Sequence, residues 1–334
     1  MFSVDPCSEW SNQGALLNNI TCDCPSGNDN LCHVVAIVLQ AQSLAGVLPP
    51  QLVKLPYLHT IDFHRNYLSG SIPKEWGATK LVFIALSGNR LSGTIPVSLA
   101  NISTLTELQL EYNNLSGVLP PELGNLINLR RLLISSNNFI GTLPESLAKL
   151  TNLKDFWISD NKFSGSIPNF VQNLTNLQKL FVQASGLKGP IPPGISLLTN
   201  MTDMRFSDLN GTNSRIPQLN NMSSLKTLIL RNCNLTGEIP SYLGNMPNLK
   251  SLDLSFNKLT GSLPSSFSGS SASNLLYLTG NSLTGPIPEW IMEGAKDIDI
   301  SYNNVTLRVW IQPVIAILPL CVCYVCALVT RLEV

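Results

Sequence analysis

The stretch Leu105–Pro120, LTELQLEYNNLSGVLP, decides how this chain folds. Leu129–Pro144 repeats it 24 residues on, and Leu153–Pro168 repeats it again. The shared pattern is L-x-x-L-x-L-x-x-N-x-L-x-G-x-(I/L)-P, and a fixed period of this length is read before any local feature. Anchored on its Asn, the pattern falls at Gln42, Asn66, Asn89, Asn113, Asn137, Asn161, Ser185, Leu209, Cys233, Asn257, Asn281 and Asn303. The step is 24 residues at nine of the eleven intervals, 23 once and 22 at the last. Such a register implies a solenoid of about twelve stacked turns.

Each repeated position has a physical task. Leu108 and Leu110 alternate with Gln109 and Glu111, the period of a short strand with one buried face. Equivalent strands must stack into a parallel sheet, because one turn alone cannot bury its leucines. Asn113 follows where the chain bends, and its amide offers both a donor and an acceptor to the backbone groups freed there. Gly117 and its equivalents, Gly189 among them, suit a backbone conformation costly for a residue with Cβ. Pro120 recurs in phase from Pro49 to Pro288 and is expected to stop further strand pairing. Leu123 and Leu126 then close the convex side.

These motifs resemble the plant-specific class of leucine-rich repeat, found in the extracellular domains of receptor-like serine/threonine kinases. The start, Cys7…Cys22-Asp23-Cys24…Cys32-His33-Val34, is similar to the N-terminal cap of a subgroup whose repeats precede a malectin-like domain, a membrane span and a kinase. The resemblance spans roughly residues 5–306. It implies an α/β repeat fold: a leucine-rich-repeat solenoid with a parallel concave sheet and a Cys-containing cap. The chain divides into a cap at 1–33, repeats at 34–306 and a hydrophobic tail at 307–334. No malectin-like or kinase motif occurs in it. The resemblance also admits a secreted inhibitor of the polygalacturonase-inhibiting type, which shares the repeat.

Composition narrows the function. Charged residues are 13% of the chain, and 21 Lys and Arg balance 21 Asp and Glu, so nothing electrostatic points to nucleic acid. Nine N-x-S/T sequons occur, at Asn19, Asn101, Asn114, Asn173, Asn200, Asn210, Asn221, Asn234 and Asn304. With the clustered cysteines they point to the secretory pathway, at the cell surface or outside the cell. Cys7, Cys22, Cys24 and Cys32 allow three pairings and are read as two disulfides; Cys22 and Cys24 lack the C-x₂-C spacing usual for zinc. A cap helix is expected around Trp10–Leu17. Met1–Glu9 lacks an apolar signal region, so the start reads as incomplete or processed.

Repeats seven to nine depart from the pattern with Ser185, Leu209 and Cys233. Cys233 reads as a small buried group in the ladder. Ser207–Pro217 breaks the phase by one residue and should bulge from the array; Ser265–Ser273 is Ser-rich and should loosen repeat eleven. Val309–Val329 is an uncharged run of 21 residues, long enough to cross a bilayer. It reads either as membrane anchoring, real or cleaved, or as the tail of a truncated reading frame.

No zincin, nucleotide-loop or nucleophile-elbow motif appears, and no enzyme activity, cofactor or metal is expected. Binding is better supported. Residues six, four, two and one before each ladder position point onto the concave sheet, a face about 50 Å long. On it lie His64, Arg65, Glu111, Tyr112, Arg131, Trp157, Asp160, Lys179, Phe181, Arg205, Asp208, Arg231, Phe256, Tyr277 and Tyr302. Tyr112, Trp157, Asp160, Phe181, Arg205, Asp208 and Arg231 form the candidate binding set. Trp157 and Phe181, expected exposed on adjacent strands among Arg and Asp, are residue types of binding hot spots. The partners expected are a peptide, a cell-wall glycan or a co-receptor protein.

Overall fold

The computed structural model describes Cys7 and residues 18–24, 31–270, 274–292 and 297–306. The expected cap helix and the 309–329 run lie outside the described residues.

Thirteen strands form one sheet. The first, Asn18–Asp23, pairs antiparallel with His33–Leu39; every later neighbour is parallel, one strand per turn as far as Asp297–Asp299. The register is the repeat itself: Leu108 pairs with Leu132, Leu132 with Phe156 and Phe156 with Leu180. Leu110, Leu115, Leu123, Leu126 and Leu129 are fully buried, each side chain contributing about 1.5–3 kcal/mol by burial. The core is therefore one continuous column, closed only by stacking.

The ladder asparagines tie turn to turn. Asn113 Oδ1 accepts the N–H of Leu91 at 3.0 Å, while its Nδ2 donates to Leu86 O at 2.9 Å and Leu110 O at 3.1 Å. Immediately before each ladder position the backbone turns left-handed, in all twelve repeats, with φ from 46° at Ala184 to 69° at Gly88 and Gly280. Ten of these twelve residues carry a Cβ, a conformation unusual outside Gly, Asn and Asp. It persists because it aims the N–H at the next turn, as when Tyr112 N donates to Ser135 O and Asp160 N to Gln183 O.

The Leu-x-Gly segment is itself a strand. Six of these segments, from Ala45–Val47 to Lys162–Phe163, form a second parallel sheet, so they do pair onward from turn to turn. The recurrent proline ends that strand and leads into a convex 3₁₀ helix, as Pro120 precedes Pro121–Asn125. Among the described residues the only α-helix is Glu289–Met292, so the helical part of the repeat is 3₁₀. Gly117 has φ 80°, as its phase requires. Gly189 is outside this group; in its repeat Gly186 takes the positive φ, at 85°.

Repeats seven to nine hold together differently. Ser185 Oγ accepts only Leu187 N at 3.3 Å, and Leu209 has no side-chain amide to offer. Between Lys162–Phe163 and Thr236–Glu238 the second sheet shrinks to single bridges: Ser166 to Lys188, Lys188 to Asn210 and Ser214 to Leu235. The concave strands compensate: Lys179–Gln183, Asp203–Ser207 and Thr227–Arg231 run five residues, where most others run three. Cys233 is buried, its Sγ 3.2 Å from Arg231 O. Burial pushes its thiol pKa up to about 12, so it is inert. Just before repeat eleven the 3₁₀ helix shortens to Ser265–Phe267.

The cap cysteines pair Cys7–Cys22 and Cys24–Cys32.

Candidate functional site

The row of residues four before each ladder position runs Leu133, Trp157, Phe181, Arg205, Ile229 on five adjacent strands. Trp157 and Phe181 stack at 4.7 Å between centroids, 17° apart. Arg205 Cζ covers the far face of Phe181 at 4.6 Å. Stacking across a strand spacing closes the ring faces and leaves the edges toward solvent. Trp157 and Phe181 are accordingly half-buried rather than fully exposed. Trp157 Nε1 is buried with no acceptor.

The row six before the ladder alternates in charge: Glu107, Arg131, Asp155, Lys179, Asp203. Arg131 bridges Glu107 and Asp155, at 3.0 Å each. Arg205 chelates Asp203 in its own strand through two bonds, 2.8 and 2.7 Å; this partner raises the guanidinium pKa further. Sequence reasoning missed Glu107, Asp155 and Asp203, although alternating charge at a 24-residue period was visible.

Residues two before the ladder are mostly small and covered by their neighbours. Glu111, expected at the surface, is buried and hydrogen-bonded by the Ser87 hydroxyl. Its pKa is raised by lost solvation, opposed by that hydroxyl, its own N–H, Arg131 and His64.

The remaining candidates spread out. Asp208 accepts Ser207 Oγ at 2.6 Å and Asn232 Nδ2 at 2.8 Å. Asp160 accepts Ser136 Oγ at 3.3 Å. Arg231 lies over the Phe256 ring at 4.3 Å and donates to Ser255 Oγ, a second cation–aromatic pair. Tyr112 is exposed but stands two turns before Asp160, apart from the stack. Among the described residues no group of three His, Cys, Asp or Glu is placed to hold a metal.

A solenoid with a continuous, side-chain-bearing inner face is a protein of the repeat-scaffold class. The family described as leucine-rich repeat region matches residues 119–318, and this chain belongs to it. Residues 80–102 and 104–126 also match single leucine-rich repeats. Among curated proteins, a probable leucine-rich repeat receptor-like serine/threonine-protein kinase of Arabidopsis thaliana is 54% identical over 120 residues, 33% of this chain and 12% of that protein. A second such kinase of that organism is 47% identical over 113 residues, 31% of this chain and 11% of that protein. Among solved structures, the Arabidopsis receptor kinase HAESA, in complex with the peptide hormone IDA and the co-receptor SERK1, aligns with a TM-score of 0.76 at 33% identity. It covers 90% of this chain and 51% of that one. The chain thus spans about one tenth of these curated relatives and half of that solved chain.

Proposed function

We propose that this chain is a non-catalytic extracellular recognition module that binds an extended peptide along its concave sheet, in concert with a co-receptor protein. The observation that carries this is the Trp157–Phe181–Arg205 stack, set between Leu133 and Ile229 on the inner face. Support comes from the likeness to a receptor ectodomain in complex with a peptide hormone and a co-receptor. The closed ring faces weigh against a glycan, since a pyranose packs on an open aromatic face. The subgroup with a malectin-like domain after the repeats, the division at residues 33 and 306, and anchoring through Val309–Val329 belong to the same reading. Its motives are the four-Cys cap and the uncharged run. Among the described residues no helix is long and apolar enough to cross a membrane. The test is Trp157→Ala: binding of a selected peptide should weaken by about 2 kcal/mol, as for a central aromatic anchor, with the fold intact. Unchanged affinity for every peptide that binds the wild-type chain would move the site elsewhere.

A further inference from the structure

The concave face holds two donors that the fold leaves without acceptors, and they are neighbours. Lys179 is half-buried, between Asp155 and Asp203 in register. Both carboxylates are already engaged, Asp155 by Arg131 and Asp203 by Arg205. Among the described residues no carboxylate oxygen lies within 4.0 Å of the Lys179 ammonium. One strand back and two residues on is Trp157, whose buried Nε1–H also meets no acceptor. Long side chains on such a diagonal reach one another. A buried indole N–H costs free energy until an acceptor arrives, and the half-buried ammonium beside it can share that acceptor.

Resting on the peptide reading above, the geometry points to a subsite at Lys179 and Trp157 for the carboxylate of an Asp or Glu side chain in the bound peptide. A carboxylate is the group that supplies two acceptor oxygens and a negative charge together. Of the flanking aspartates, Asp203 is paired by Arg205 alone, while Asp155 shares Arg131 with Glu107, so Lys179 supplies the positive charge that draws the acid in. Beyond Arg205 the row continues to the half-buried Ile229, whereas Leu133 on the other side is fully buried, so the peptide extends from this point toward Ile229.

The experiment is selection of a displayed library of random linear dodecapeptides on the full chain, followed by affinity measurement with synthetic peptides. Peptides that bind the wild-type chain and lose at least tenfold on Trp157→Ala should carry an acid. Replacing that acid by its amide should cost about tenfold on the wild-type chain, almost nothing on Lys179→Met, and the wild-type amount on Lys179→Arg. In the complex the Nε1–H resonance of Trp157, assigned by its loss in Trp157→Phe, should shift for the acidic peptide and not for its amide. Thermal unfolding of each variant separates lost binding from lost fold. Peptides that need Trp157 but no acid, or whose acid matters equally on Lys179→Met, overturn the subsite and leave the face reading standing. Failure to obtain any peptide that needs Trp157 overturns both.

Discussion

Asn137 Oδ1 accepts the backbone N–H of Leu115, twenty-two residues earlier, at 3.0 Å. The same amide donates to Leu110 O at 2.9 Å in the preceding turn and to Ile134 O at 3.2 Å in its own. One side chain thus satisfies buried backbone groups of two turns. Asn137→Ala should cost about 1–3 kcal/mol, since the buried N–H of Leu115 loses its acceptor, while Leu110 O and Ile134 O keep the amides of Asn113 and Asn161. Urea unfolding measures this; a loss below about 1 kcal/mol would mean water replaces the amide.

Glu111 sets a pH dependence. Its folded-state pKa is raised above the ordinary value of 4.5, first by burial. Its contribution to stability is thus full below 4.5 and is lost as the pH rises through the folded value. The stability of wild type relative to Glu111→Gln should therefore fall as the pH rises above 4.5. Parallel stability curves across that range would show that Glu111 keeps its solvation.

Gly124 separates close packing from backbone strain. A Cβ there would lie 2.2 Å from Ser146 O in the next turn, so Gly124→Ala must push adjacent 3₁₀ helices apart, at about 1–3 kcal/mol. At Gly46 a Cβ meets nothing within 4 Å, and only its φ of 104° resists substitution. Both variants should lower the thermal midpoint. A normal midpoint for Gly124→Ala would show that the convex turns are free to slide.

The sequons should not be used equally. Asn101, Asn173 and Asn221 are exposed on the convex side. Asn234 is half-buried and its Nδ2 donates to Leu209 O at 3.0 Å. Glycopeptide mass spectrometry of chain secreted behind a supplied signal peptide should find sugar at the first three and none at Asn234. Absence of sugar at all nine would remove the extracellular assignment.

The sheet, its register and the buried leucines were legible, because a 24-residue period fixes which residues face one another. The left-handed row was legible only in part. Gly88, Gly280, Asp160, Asp208 and Asn232 mark it, but Arg65, Tyr112 and Phe256 hide it, since they adopt that conformation only under tertiary hydrogen bonding. The second sheet was missed for a related reason: Leu-Ser-Gly is too short to read as a strand until its neighbours pair with it. At the site, periodicity brought Trp157 beside Phe181. It did not show that the rings would close on each other, nor that Arg131 and Arg205 would take both aspartates and leave Lys179 alone.

The gap in the second sheet also has an elastic meaning. Along most of the array two sheets bind each turn to the next, like the two rails of a ladder. At repeats seven and eight the outer rail is reduced to single rungs, and the inner one carries the load through its longer strands. The outer rail breaks again between Lys258–Thr260 and Thr284–Pro286, so it is continuous only from the first repeat to the sixth. Phe181 and Arg205 sit on two of those longer strands, paired over five residues, so the cation–aromatic contact lies where the inner rail takes over from the outer one.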